Sequence, residues 1–293
     1  MTRPASPRSS GSGPASRCGS RSSAATATAT ATPRTETPSY FVGVDLARGQ
    51  RGVTGLAVID DSGGLRDVAT LQSDEEILAW LSPWVTGPCL VAFDAPLIVV
   101  NPSGKRLCER LIGQYFGRYG AHCHSANTAN PSFTDGSRAL RIAELLGLDT
   151  DPTRTSVRRA AEVYPHPALV ALFDLPRILQ YKAKPGRDFN HLHGEMLRLV
   201  GYLESLADAS PPLHLNTTPK WQTIRKNLDA ATRKADLKRL EDAIDGVVCA
   251  YIAWYATTHP TRTRTFGNLT TGTILTPVTP PIATRYDAAL AGS

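Results

Sequence analysis

Acidic residues interrupt three apolar segments of the chain. Asp45 lies in YFVGVDLA, Asp94 ends the apolar part of CLVAFDAPL, and Asp242 and Asp245 lie in EDAIDGVVCAYIAWY. Burying an unpaired carboxylate is costly, so each aspartate must be neutralised, paired or bound to a metal ion. Asp242 and Asp245 are three residues apart and therefore neighbours on a helix, where like charges repel unless a cation lies between them. Glu241, four residues before Asp245, could replace either of them.

These side chains could together form a site for divalent metal ions. If two adjacent parallel strands carry Asp45 and Asp94, and the late helix packs across their ends, the four aspartates meet in one cluster. Hard oxygen ligands with open positions suit Mg²⁺ or Mn²⁺ rather than zinc. Two such ions, roughly 3.5 to 4 Å apart, could activate water and stabilise the leaving oxygen in phosphodiester hydrolysis.

Each aspartate also has a purely structural explanation. A lysine could neutralise Asp45, and Asp94 could cap a turn. Asp242 and Asp245 could form the solvated side of an amphipathic helix. The residues alone leave these alternatives open.

The elements that would position the acids follow from apolar patterns and turns. Three strands are predicted from YFVGVDLA, VTGLAVID and LRDVATL, which the turns RGQRG and DSGG separate. SDEEILAWLSPWV predicts a helix, because Ser73 and Glu76 have capping-box spacing. CLVAFDAPL predicts a fourth strand that Pro96 closes, so the order is βββαβ.

Helices predominate after the fourth strand. They are predicted at 105–119 and 136–146, in ALVALFDL, and at 188–206 and 234–257, with a fifth strand at 158–164. The final helix has one apolar stripe, with Asp245 at its edge and Asp242 about 60° further round. TGTILTPV is expected to return as a last strand or an ordered arm.

This order, with an aspartate in strand one, an acid ending strand four and a late-helix pair, resembles the ribonuclease H-like fold. The late-helix pair is most similar to that of the Holliday-junction resolvase branch. More closely, GVDLA, FDAPL, KRLCER, EVYPHPA and EDAIDGVVCAY resemble domain-of-unknown-function family 429, whose members are predicted ribonuclease H-like nucleases. The likeness covers roughly residues 40–277. It implies an α/β fold with a central mixed five-stranded sheet in βββαβαβα order, helices on both faces and a helical insertion after strand four.

The resemblance also implies a set of site residues. Asp45, Asp94, Asp242 and Asp245 match metal-binding acids of the fold, with Asp45 bridging two Mg²⁺ or Mn²⁺ ions. Glu162 in EVYPHPA matches a family motif and could be a fifth ligand or hold a ligand in place. Resolvases of this branch often have histidine where this chain has Asp242.

Two basic segments predict contacts with nucleic acid. Lys105, Arg106 and Arg110 follow Asp94 on a helix and could contact phosphate. Residues 220–239 contain seven Lys or Arg against two Asp, a local net charge of +5. The predicted contacts in this segment are Lys220, Trp221, Arg225 and Lys226, and the Trp221 ring is expected to stack on a base. A solvated helix face is the alternative for both segments.

The expected function is therefore a metal-dependent nuclease that acts on DNA or RNA. Two other classes stay open. ARGQRGVTG superficially resembles the phosphate-binding turn of ATP-dependent phosphotransferases of the actin and sugar-kinase type, although only one such domain half is found. A nucleic-acid-binding module that keeps the acids without catalysis is the third class.

The termini and the composition bound the remaining expectations. Residues 1–38 are rich in Ser, Ala, Thr and Arg and predict a disordered tail, with a transit peptide as the lesser alternative. One domain is expected at 39–280 and a C-terminal tail at 281–293. No membrane-spanning apolar run and no CxxC spacing are present, which favours a cytoplasmic protein with free thiols.

Overall fold

A five-stranded sheet forms the centre of the described structure, which covers residues 39–49 and 52–292 of a computed structural model. Its strands are β1 (Tyr40–Asp45), β2 (Thr54–Asp60), β3 (Leu65–Leu71), β4 (Cys89–Phe93) and β5 (Arg158–Glu162). Across the sheet the order is β3-β2-β1-β4-β5, with β2 antiparallel to β1 and β3, and with β4 parallel to β1 and β5. The prediction of a mixed five-stranded α/β sheet is confirmed. The predicted tail at 1–38 lies outside the described residues.

Helices cover both faces of this sheet. They are α1 (Asp74–Leu81), α2 (Leu107–Phe116), α3 (Arg138–Leu145), α4 (Pro165–Leu172), α5 (Phe189–Glu204), α6 (Pro219–Asp229), α7 (Lys234–Thr258) and α8 (Pro280–Ala291). The capping box of α1 is present, because Ser73 Oγ accepts from the Glu76 N–H at 3.1 Å and Glu76 Oε2 accepts from the Ser73 N–H at 3.1 Å. No helix in the described residues is long and apolar enough to cross a lipid bilayer.

The two faces of the sheet belong to two separate hydrophobic clusters. Side chains alternate along each strand, so Val42, Val44 and Phe93 pack with α1 and α3 on one face. Phe41 and Ala92 pack on the other face with α7 and the helices around it. Asp45 continues the series of Phe41 and therefore points to the α7 face.

Helix α7 lies unusually close to the sheet because glycines face it. A Cβ placed on Gly43 would lie 1.9 Å from the Gly246 carbonyl oxygen, and one on Gly55 would lie 1.6 Å from the Asp242 carbonyl oxygen. These glycines allow backbone-to-backbone packing between β1, β2 and α7.

The prediction that α7 has a single apolar stripe is wrong. Every residue from Leu240 to Trp254 is buried, so the helix has no solvated side along this stretch. The sheet covers one side of the helix, and helices α4, α5 and α6 pack against it from elsewhere. A helix that is enclosed on all sides needs no polar face. The expectation of one apolar stripe therefore underestimates how much of α7 is buried.

The C-terminal segment forms ordered structure instead of the expected tail. A hairpin of β6 (Thr263–Asn268) and β7 (Gly272–Pro277) precedes α8, and Ile282 and Tyr286 of α8 are buried. Tyr286 Oη donates to the Thr265 carbonyl at 2.8 Å. The two prolines after Thr279 resemble a break, whereas proline is favoured in the first turn of a helix, where its missing N–H costs nothing.

Candidate carboxylate site at the ends of the parallel strands

Asp45 and Asp94 lie side by side where two adjacent parallel strands end. Asp45 is the last residue of β1, and Asp94 directly follows β4. The Asp94 N–H donates to the Val44 carbonyl at 2.8 Å, which holds the two strand ends level. Because Phe93 points to the α1 face, side-chain alternation turns Asp94 to the α7 face, where Asp45 also points. The predicted adjacency of these two carboxylates is therefore present in the fold.

Asp245 on α7 completes the cluster from the helix side. Its side chain is fully buried. Oδ1 accepts a hydrogen bond from Tyr181 Oη at 2.7 Å, and Oδ2 lies 2.8 Å from Lys182 Nζ. That second contact is an ion pair without hydrogen-bond alignment, so Oδ2 has no hydrogen-bond donor among the described residues.

Lys182 is the cation of this cluster. Its side chain is 28% exposed, and it comes from the irregular loop between α4 and α5. Burial lowers the pKa of Lys182, but the charges of Asp245, Asp45 and Asp94 outweigh burial and hold that pKa above its usual value. Lys182 is therefore a permanently charged ammonium among carboxylates.

Asp45 and Asp94 have no such partner. Both residues are half-buried, and neither side chain forms an ion pair within 4 Å with any residue in the described part of the chain. Desolvation, and then the negative charge of Asp245, raise the pKa of Asp45 well above its usual value. Desolvation also raises the pKa of Asp94, to about 7, with Lys182 opposing the rise and Asp245 adding to it.

Asp242 and Glu241 lie one turn earlier on α7 and share a different cation. Lys238 Nζ donates to Asp242 Oδ1 at 2.8 Å and to Glu241 Oε1 at 3.0 Å. Asp242 nevertheless acts electrostatically on Asp45. Together with Asp45 it lines a cleft of about 540 Å³, whose other lining residues are Ala47, Gly52, Val53, Thr70, Lys238 and Arg239.

Glu162 turns its side chain away from these carboxylates. It pairs in register with Phe93, so it points to the face of the sheet opposite to that of Asp94. There it forms a buried bidentate ion pair with Arg106, with Nη2 to Oε1 at 2.6 Å and Nη1 to Oε2 at 2.8 Å, and it accepts the Leu97 N–H at 3.0 Å. Glu162 is therefore placed to hold the loop after Asp94 rather than to serve as a fifth ligand.

Arg106 is correspondingly not a surface cation. Only 3% of the residue is exposed, and its guanidinium also pairs with Glu109 at 2.8 Å. Of its predicted companions, Lys105 is half-buried and Arg110 is exposed. The expectation that all three contact phosphate is wrong for Arg106, because the buried carboxylates already satisfy its charge.

The predicted contacts on α6 are also changed by the fold. Trp221 is fully buried and donates from Nε1 to Glu204 at 3.3 Å, so it cannot stack on a base. Lys220 pairs with Asp67 at 2.5 Å, and Arg225 pairs with Asp229 at 2.6 Å. Lys226 is exposed. Among the described residues, the cations that border the carboxylate cleft are instead Lys238 and Arg239, at the start of α7.

Tyr181 and Lys182 belong to the site without a clear sign in the sequence. The only signal for them is a Gly- and Pro-containing loop with two lysines, YKAKPGR. Two hydrogen bonds hold this loop in place. Arg187 Nη1 donates to the Lys182 carbonyl at 2.7 Å, and the Gln180 N–H donates to Glu195 at 2.6 Å. His166 lies against Tyr181, and burial followed by the charge of Lys182 lowers the pKa of His166 to about 4.

The donor set fits a hard divalent ion in its chemistry. Within residues 39–49 and 52–292, no three Asp, Glu, His or Cys side chains are close enough to hold an ion jointly. Mg²⁺, however, is commonly bound through only one or two carboxylates, with water and substrate phosphate completing its octahedral shell. Asp45 and Asp94 supply two such carboxylates, and Asp245 supplies a buried oxygen without a hydrogen-bond donor.

The fold and the site together define an α/β protein with an acidic cluster at the carboxyl ends of parallel strands. The chain belongs to the family described as "Protein of unknown function (DUF429)", whose model matches residues 43–268. This match confirms the family resemblance predicted from the motifs. No curated protein and no solved structure matches the chain at a significant level.

Proposed function

We propose that the protein is a metal-dependent nuclease that hydrolyses phosphodiester bonds in DNA or RNA. The observation that carries this proposal is the pair Asp45 and Asp94, two neighbouring, desolvated carboxylates without a cation partner in the described chain. Enzymes that transfer or hydrolyse phosphate esters use such pairs to bind Mg²⁺ or Mn²⁺.

The sheet supports a ribonuclease H-like fold for this nuclease. Its antiparallel β1, β2 and β3, followed by β4 and β5 parallel to β1, agree with the expected strand order. In open α/β sheets, ligands bind outside the carboxyl ends of the parallel strands. Asp45 and Asp94 are located at those ends.

In this proposal each residue has a distinct task. Asp45 and Asp94 hold the divalent metal, which when bound supplies Lewis-acid stabilisation and an activated water. Lys238 and Arg239, on the rim of the cleft, attract and orient the substrate phosphates. Asp242 keeps Lys238 beside the cleft through their 2.8 Å ion pair. Tyr181 and Lys182 fix the orientation of Asp245.

A cleavage assay tests the proposal. Purified protein with Mn²⁺ or Mg²⁺ is offered labelled single-stranded, duplex, hybrid and junction substrates of DNA and RNA. We expect metal-dependent cleavage of at least one form, its loss by at least ~100-fold in Asp45→Asn, and its retention in the exposed control Asp61→Asn. Absence of cleavage of every form by the wild-type protein, with metal present, would contradict the proposal.

A non-catalytic nucleic-acid-binding module is the second candidate. It is favoured by the ion pairs Lys182–Asp245 and Lys238–Asp242, which already neutralise two of the four aspartates. This module would bind nucleic acid without requiring a divalent ion. Equal binding of a labelled oligonucleotide by wild-type protein and Asp45→Asn in EDTA, without cleavage in Mn²⁺, would favour it over the nuclease.

A further inference from the structure

The charges around the site divide into paired and unpaired carboxylates. Asp245 has Lys182 at 2.8 Å, and Asp242 shares Lys238 with Glu241. Asp45 and Asp94 have no ion-pair partner within 4 Å in the part of the chain that the structure describes. Two unpaired carboxylates carry a charge of −2 when ionised, which one divalent ion balances.

The ammonium of Lys182 lies where a second cation would have to bind. Because Asp242 is paired with Lys238, a second ion would need Asp245, the only fully buried aspartate of the described cluster, as a ligand. Its Oδ2 faces Lys182 Nζ at 2.8 Å, and its Oδ1 is taken by Tyr181 Oη at 2.7 Å. Both oxygens are thus engaged by consecutive residues of one loop.

That loop is anchored well enough to hold its lysine in place. Arg187 Nη1 donates to the Lys182 carbonyl at 2.7 Å, and Lys234 Nζ of α7 donates to the Arg187 carbonyl at 2.6 Å. The Lys182 side chain is 28% exposed, whereas Lys184 two residues later is exposed. The loop therefore directs one lysine inward and the other into solvent.

From this geometry we infer that Lys182 replaces one of two metal ions, so that the chain binds a single divalent ion through Asp45 and Asp94. The inference rests on the proposed function for its metal site and changes the expected number of ions from two to one. A lysine in this position supplies a fixed positive charge beside the bound phosphate, but it cannot activate a second water. Lys182 is accordingly a positioning residue that keeps Asp245 in place and excludes a second ion.

Mn²⁺ titration calorimetry tests the inference on the full-length protein. We expect one Mn²⁺ per chain for the wild type, for Lys182→Arg, which keeps the charge, and for the exposed-lysine control Lys184→Met. We expect two for Lys182→Met, because Asp245 then has a free oxygen for a second ion. Two ions on the wild type, or one on a folded Lys182→Met, would overturn the inference while leaving the metal site intact.

Electron paramagnetic resonance of the wild type gives a readout that needs no variant. With excess Mn²⁺ and the signal of the unbound ions subtracted, a single site gives the six-line spectrum of isolated ions, whereas two ions roughly 3.5 to 4 Å apart would give a spin-coupled signal. The six-line spectrum of protein-bound Mn²⁺ supports the inference and the coupled signal overturns it. No bound Mn²⁺ by either method would instead overturn the proposed metal site, and the inference with it.

Discussion

Asp94 connects the charge of the site to the stability of the fold. Desolvation raises its pKa from an ordinary 3.8 to about 7, against the opposing charge of Lys182. The folded state therefore binds a proton more tightly than the unfolded state does. The stability that this proton contributes is fully present below pH 3.8, declines as the unfolded carboxyl ionises, and is lost as the pH rises through about 7, where the folded carboxyl ionises as well.

Asp94→Asn is expected to remove this loss of stability. In EDTA, the variant should gain on the wild type by about 2–4 kcal/mol as the pH rises from about 4 to about 8, because the amide never ionises. Urea unfolding at several pH values measures the difference, with the exposed Asp61→Asn as the control. If the free energies of unfolding of wild type and Asp94→Asn changed in parallel with pH, the pKa of Asp94 would not be raised by folding.

Arg106 tests whether a predicted nucleic-acid contact is a structural ion pair. Arg106→Ala leaves Glu162 and Glu109 buried without their cation, which should cost about 3–5 kcal/mol of folding free energy. Arg110→Ala, on the same helix but exposed, should change stability by less than about 0.5 kcal/mol. Chemical unfolding checks both values. Equal effects of the two substitutions on stability would show that Arg106 is an exposed cation and not part of a buried ion pair.

At the scale of elements, the closeness of α7 to the sheet brings the carboxylates together. Gly55→Ala places a methyl group against the backbone of Asp242, where the carbonyl oxygen is only 1.6 Å away. We expect a loss of about 3 kcal/mol or more, because backbone cannot move aside as a flexible side chain can.

Gly201→Ala is the matched control for that substitution. Gly201 lies in α5 with no atom within 4 Å of the added Cβ, so the change should stabilise the protein by up to about 1 kcal/mol through helix propensity. Thermal unfolding of the two alanine variants distinguishes them. A neutral Gly55→Ala would show that α7 does not rest directly on β2.

Much of the element order can be predicted because local pattern determines it. Apolar residues between turns indicate the first four strands, the segment PHP marks the end of the fifth, and the Ser73 capping box marks the start of α1. Helix α8 escapes prediction because its opening prolines resemble a break, and α6 because few of its residues are apolar. The face of Glu162 depends on its register with β4, which no local pattern specifies.

The site itself is predictable only in part. Aspartates in apolar runs are visible in the sequence, and the structure brings Asp94, Asp242 and Asp245 close enough for their charges to act on Asp45. The sequence does not indicate that Lys182 belongs to the site, because an irregular loop has no periodicity from which the inward-pointing side chain can be predicted.

Trp221 shows the same limit on the surface of the protein. Its segment carries a high local charge, which predicts exposure. Its burial instead depends on packing against neighbouring helices, where it contacts Glu204 of α5. Contacts between elements, rather than the composition of a segment, therefore decide which side chains can reach a ligand.

In the molecule as a whole, we propose that residues far apart in sequence fold into one metal site. Asp45 lies at the end of β1 and Asp94 follows β4, while Asp245, which is paired with Lys182, comes from α7, so only the complete domain assembles the site. A cluster of this kind should bind an ion through oxygens at about 2.0–2.2 Å, the distance that Mg²⁺ and similar ions require.

Anomalous diffraction from crystals soaked in Mn²⁺ measures this most directly. We expect one strong anomalous peak per chain, bonded to a carboxylate oxygen of Asp45 and one of Asp94, with Lys182 still paired to Asp245. The peak should vanish in crystals of Asp45→Asn. A peak located elsewhere, or none at a saturating concentration of Mn²⁺, would contradict a metal site formed by Asp45 and Asp94.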